Sequence, residues 1–129
     1  MQTLQDLATT NFQRWNEALQ TKDPEQVATL YTQDNSFLPT LSPEFKHGQN
    51  GAVAYFHHFL EKNPFGAIIE EQVQDLGENA YLHSGMYDFE VGPSDNRSVA
   101  HARFSYVWVK EDDGVWRIAH HHSSLKPQG

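Results

Sequence analysis

From Ala67 onward the chain runs with period two through four long segments: Ala67 to Asp75, Ala80 to Val91, Ser98 to Lys110 and Val115 to Ser124. Between them stand Gly77-Glu78-Asn79, Gly92-Pro93-Ser94-Asp95-Asn96 and Asp112-Asp113-Gly114, runs of residues that accept turn conformations. Long strands joined by short turns pair with their neighbours, so this half of the chain is committed to an antiparallel meander. Such a sheet needs cover on its apolar side.

The first half supplies the cover. Leu4, Leu7, Ala8, Phe12, Trp15, Ala18 and Leu19 recur at three- and four-residue steps and form one stripe of a helix. Asp23 is placed to cap a second, short helix with Pro24 at its first position, carrying Val27, Ala28, Leu30 and Tyr31. Ser36-Phe37-Leu38 reads as a short strand ended by Pro39, and a third helix is expected over about residues 51–62, with Ala52, Tyr55, Phe56, Phe59 and Leu60 on one side. Helices followed by a meander predict an α+β domain with three N-terminal helices packed on the sheet. A length of 129 residues suits a single domain over 1–129, with a core over about 4–124 and a short loose tail.

Composition removes several functions. Seventeen acidic against nine basic residues give a net charge of −8, which argues against nucleic acid or an anionic membrane as partner. The absence of cysteine excludes disulfides and thiolate chemistry. No apolar run is long enough to cross a bilayer, and Met1 to Thr10 has no signal-peptide pattern, so a cytoplasmic protein is expected.

The strand Ala100 to Val109 carries Ala100, Ala102, Phe104, Tyr106 and Trp108 on one face, and His101, Arg103, Ser105, Val107 and Val109 on the other. Neither face reads as solvated. The helices cover one face only, so a second copy of the chain is expected on the other, at Phe104, Tyr106 and Trp108. The last strand splits its three consecutive histidines by face. His120 and His122 share a side with Trp116 and Ile118, and are expected to point inward, while His121 and Ser123 point outward.

An inward His120 and His122 admit three readings: metal ligands, a polar pocket, or hydrogen-bonded core histidines. A metal needs a third ligand, for which His101 is nearest, and no carboxylate is spaced to help, so no metal or other cofactor is expected. If Asp112-Asp113 centre the hairpin, Arg103 opposes His122 and Ser105 opposes His120. A three-residue loop with a bulge at Gly114 would oppose Phe104 to His122 and Tyr106 to His120 instead. The first register is preferred because it gathers polar residues inside. An inward Arg103 would need an acidic partner, either Asp88 or Glu90 within the chain or an acidic ligand. The expected ligand-binding set is Arg103, His120, His122, Ser105, His101, Tyr87, Trp15 and Tyr31. His120, His122 and Asp88 are the candidates for acid–base catalysis.

Trp15-Asn16-Glu17-Ala18-Leu19-Gln20-Thr21-Lys22-Asp23-Pro24 with Val27-Ala28-x-Leu30-Tyr31 resembles the opening of the nuclear transport factor 2-like superfamily. Leu38-Pro39-Thr40-Leu41-Ser42, Tyr55-Phe56-x-x-Phe59-Leu60, Gly85-x-Tyr87-x-Phe89 and Trp116 to Ser124 are similar to bacterial homologues of the calcium/calmodulin-dependent protein kinase II association domain (SgcJ/EcaC-type, with SnoaL-like relatives). The resemblance spans about residues 8–127. It implies a cystatin-like cone with three helices wrapped by a curved sheet, a cavity at the open end, and pairing through the convex sheet face. It also implies that Tyr106 stands in place of one pocket arginine of the kinase domain, and that Arg103 sits where bacterial relatives usually carry Arg. The leading functional expectation is therefore a self-associating domain, a homodimer or larger, that binds a small anionic or carbonyl-bearing molecule. The alternatives are an isomerase, cyclase or dehydratase using His and Arg, and a pure oligomerisation scaffold.

Overall fold

The computed structural model describes residues 2–128. Helix α1 spans Leu4–Gln20 and opens on a capping box: the Thr3 hydroxyl accepts from the Asp6 amide at 3.0 Å, and the Asp6 carboxylate accepts from the Thr3 amide at 3.1 Å. Its buried stripe is Ala8, Phe12, Trp15 and Leu19, with Asn11 beside them. Helix α2, Pro24–Ala28, has Asp23 as its cap, accepting from the Glu25 amide. Helix α3 covers Gly48–Phe59 and tightens into a 3₁₀ turn at Leu60–Lys62.

Six strands form one sheet: β1 Tyr31–Leu38, β2 Lys46–His47, β3 Phe65–Asp75, β4 Ala80–Val91, β5 Ser98–Lys110 and β6 Trp116–Leu125. Their order is β2-β1-β6-β5-β4-β3. All neighbours are antiparallel except β1 and β6, which run parallel. The architecture is the α+β arrangement the periodicity predicts, with helices first and a curved sheet after them. Tyr31 opens β1 instead of closing α2, and β1 is longer than the three residues expected. Its polar middle, Thr32 to Asn35, lies where the register to β6 shifts and so masks the alternation.

The face of β5 that packs against the helices is the aromatic one. Phe104 is 3% exposed, Tyr106 and Trp108 are fully buried, and all three belong to the core with Phe12, Trp15, Phe56, Tyr81, Tyr87 and Ile118. The assignment of Phe104, Tyr106 and Trp108 to a subunit interface is thus corrected: these rings supply the bulk that closes the core. The outer face carries His101, Arg103, Ser105, Val107 and Val109 of β5, beside Leu82, Ser84, Met86 and Asp88 of β4.

Strand β6 contains a bulge. Lys110 pairs with Trp116, Val109 with Arg117 and Trp108 with Ile118, but the next pair is Val107 with His120. Ala119 has no partner in either flanking strand. One extra residue reverses the alternation from that point on. Ile118 is buried before the bulge, and His121 and Ser123 are buried after it, leaving His120 and His122 on the outside. Neither expected register holds throughout. The Gly114 loop register is present next to the turn, and beyond Ala119 the strand slips one residue further, so that Ser105 opposes His122 and Arg103 opposes Ser124.

Gly85 allows β3 and β4 to approach closely. A Cβ there would lie 2.0 Å from the Glu70 carbonyl oxygen and 2.8 Å from the Glu71 Cα. Ile69 forms a bulge just before this point, between the Ile68–Tyr87 and Glu70–Met86 pairs. Among the described residues no helix is long and apolar enough to cross a membrane.

Candidate functional site

A cavity of about 110 Å³ lies between α1, α3 and the inner face of the sheet. A water takes about 30 Å³ of liquid volume, so the space holds on the order of four waters, or about one small aromatic ring. Trp15, Phe37, Tyr55, Phe56, Phe59 and Phe89 make the apolar wall. Tyr87, His121, Ser123 and Thr40 make the polar wall, and the exposed Lys62 stands at the rim.

His121 is the centre of the polar wall. Its imidazole is held flat between Phe37, with ring centroids 4.8 Å and planes 10° apart, and Tyr106, at 4.1 Å and 21°. Nδ1 lies 2.8 Å from the Tyr31 hydroxyl and Nε2 3.3 Å from the Tyr87 hydroxyl. Trp15 Nε1 donates to the Tyr31 oxygen at 3.1 Å, and the Tyr87 hydroxyl donates to Ser123 Oγ at 2.5 Å. Ser123 Oγ in turn bonds the Thr40 hydroxyl. The Tyr55 hydroxyl donates to the Thr40 carbonyl at 3.0 Å and so fastens this loop across the cavity.

Burial sets the charge state of the whole cluster. It pushes the His121 pKa well below the ordinary 6.5, with His120 and His122 adding to the shift, so the imidazole is neutral at pH 7. The same cause raises Tyr31, Tyr55, Tyr87 and Tyr106 above the ordinary phenol value. The site is thus a string of neutral donors and acceptors inside an aromatic shell. It is built to hold a molecule by shape and by one or two directed hydrogen bonds.

Of the residues expected at the site, Trp15 and Tyr87 line the cavity, and Tyr31 stands behind its wall, bonded to Trp15 and His121. Arg103, Ser105, His101, His120 and His122 are on the outer face, and Asp88 is with them. Arg103, Ser105 and His122 do come together, with Ser124, but in a shallow open groove on that face. Asp88 Oδ1 is 2.7 Å from His101 Nδ1, and His120 Nδ1 is 2.7 Å from the Ser36 hydroxyl. An exposed Arg103 needs no internal counter-charge, which removes the reason to expect an acidic ligand in the cavity. His121, Ser123 and Thr40 were missed because unbroken alternation places the first two outside. The only local sign of the bulge is Ala119, the smallest residue of β6, just before the histidines.

The sequence model of the calcium/calmodulin dependent protein kinase II association domain matches residues 4–127. No curated protein matches the chain. Among solved structures, a protein from Xanthomonas campestris described as belonging to that family superposes with a TM-score of 0.91 at 35% identity, covering 96% of this chain and 89% of its own. A protein from Catenulispora acidiphila, solved in complex with S-DNPA, gives a TM-score of 0.79 at 17% identity, with 92% and 90% covered. A proposed dehydratase of the NTF2-like family from Streptomyces avermitilis gives 0.76 at 14% identity, with 94% and 95% covered. The last two share the fold, which is also called cystatin-like in a neighbour from Caulobacter vibrioides. By the match over nearly its whole length, this chain belongs to the calcium/calmodulin dependent protein kinase II association domain family.

Proposed function

We propose that the protein is a self-associating pocket domain that takes a small, mostly apolar, ring-sized molecule into the cavity beside His121. The observation that carries this reading is the neutral hydrogen-bond string set in an aromatic cavity with about 110 Å³ of free space. A core filled only for stability leaves few voids of that size.

The acid–base alternative finds little support in the same geometry. Both nitrogens of His121 face tyrosine hydroxyls, among the described residues no carboxylate bonds its ring, and Asp88 lies on the opposite side of the sheet. Self-association is supported by the family and by the outer face, where the partly exposed Leu82, Met86, Val107 and Val109 lie among polar residues.

The test is a panel of single-ring aromatic compounds, scored by thermal shift and by NMR saturation transfer, on the native chain and on Ala100→Phe. Ala100 lines the cavity, and a phenyl ring there fills it. Binding to the native chain that the variant abolishes supports the pocket. If no compound binds at millimolar concentration, the domain is a scaffold alone.

A further inference from the structure

The string of hydrogen bonds beside the cavity has a direction. Trp15 Nε1 can only donate, so the Tyr31 oxygen accepts from it. The Tyr31 proton then has one partner, His121 Nδ1, and the bond at 2.8 Å makes Nδ1 the acceptor. A neutral imidazole with Nδ1 bare carries its proton on Nε2, which faces the Tyr87 oxygen. Tyr87 passes its own proton to Ser123 Oγ. The opposite tautomer would leave the Tyr31 proton without a partner in a fully buried position, at the cost of a desolvated donor.

The string therefore ends with one proton to spare. Ser123 Oγ accepts from Tyr87 and shares a single bond with the Thr40 hydroxyl. Two hydroxyl protons are present in that pair and only one is used between them. Neither oxygen has another side-chain or backbone partner among the described residues. Ser123 is 6% and Thr40 8% exposed; both line the cavity and both also border an open groove beside Pro39 and His122, so a cavity ligand would compete with water in that groove for the spare proton.

We infer that the cavity selects a neutral ring-sized molecule bearing a hydrogen-bond acceptor, a ketone, aldehyde, ester or amide carbonyl, which accepts from the Ser123–Thr40 hydroxyl pair. This rests on the pocket reading above and names the class of molecule it takes. A hydrocarbon of the same shape leaves the spare proton unpaired. A carboxylate brings a charge into an aromatic shell whose one cation, Lys62, stands at the rim.

The test compares acetophenone, α-methylstyrene and benzoate on the native chain by titration calorimetry or NMR line shape. Acetophenone and α-methylstyrene differ by an oxygen against a methylene, and the hydrocarbon is the more readily desolvated. The expected result is acetophenone tighter by about tenfold, the size of one buried hydrogen bond. In Ser123→Ala, which leaves the Tyr87 and Thr40 protons both without a partner at the cavity wall, that ratio stays at or above the native value, with near-ultraviolet circular dichroism confirming that the variant is folded. Should the variant not fold, the native comparison decides by itself. Equal or tighter binding of α-methylstyrene overturns the acceptor class but leaves the pocket standing, as does benzoate binding tightest. Binding of none of the three overturns both readings.

Discussion

His121 Nδ1 lies 2.8 Å from the Tyr31 hydroxyl, an acceptor facing a donor that has already accepted from Trp15. Replacing His121 by Phe keeps a flat ring between Phe37 and Tyr106 but leaves the Tyr31 and Tyr87 hydroxyls each one partner short. The expected loss is about 2–4 kcal/mol of unfolding free energy in urea titration. In the native chain the imidazole ¹⁵N shifts should report the Nε2–H tautomer at pH 7. A pattern typical of Nδ1–H would break the directed string.

Stability should fall as the solution is acidified. His121 is held below the ordinary 6.5 by burial, and His83, fully buried beside Glu71, is held below it for the same reason. In the unfolded chain both titrate near 6.5 and bind protons that the folded state refuses. Their contribution is therefore whole above pH 6.5 and is lost as pH falls below it toward the folded values. The slope for His121 is at most about 1.4 kcal/mol per pH unit. Urea titrations at pH 7.5, 6.5 and 5.5 should show the decline, and His121→Phe should flatten it. An equal slope in the variant would assign the effect elsewhere.

Ala119 sets which histidine is inside. Inserting one alanine after it would carry the alternation a step further, turning His121 and Ser123 outward and forcing His120 and His122 against Trp15 and Phe37. The insertion should lose the near-ultraviolet signal of packed aromatics and the sharp thermal transition, whereas deleting Ala119, which leaves every later residue on its present face, should not. Ala119→Ser, which keeps the residue count, should lose no more than about 1 kcal/mol. An insertion variant as stable as the native chain would mean that the residue count at the bulge does not fix which histidine is inside.

The two faces of β5 predict opposite outcomes for the same change. Phe104→Glu places a charge in the core and should fail to fold. Val107→Glu, on the outer face, should remain folded and shift the protein toward monomer in sedimentation velocity. An unchanged oligomer in folded Val107→Glu would exclude this part of the sheet as the contact.

At Gly85 a methyl group would overlap the Glu70 carbonyl oxygen at 2.0 Å, and both partners in the clash are backbone or bonded to it. Gly85→Ala should cost about 2–4 kcal/mol through a forced shift of β3. A thermal midpoint within a degree of the native value would refute the close approach.

Much of this molecule is written along the chain. The three- and four-residue steps from Leu4 to Leu19, the Asp23-Pro24 cap and the turns between the strands are local signals. They act through the backbone of the residues that carry them, and α1, α2 and the long strands β3 to β6 follow. The apolar character of both faces of β5 was legible too. The choice of face was not, since Phe104, Tyr106 and Trp108 could equally have met helices or a second subunit. It was decided by which rings fill the space against Phe12, Trp15 and Phe56. The identity of the pocket histidine turned on a single unpaired alanine. Alternation along a strand is a local rule, but a bulge exists only where two strands pair, so its place is set by the neighbours β5 and β1. The sequence by itself determined that a polar residue from the His120-His121-His122 run would enter an aromatic core. Only the pairing of β6 with its neighbours, by counting one residue twice, decided that it would be His121.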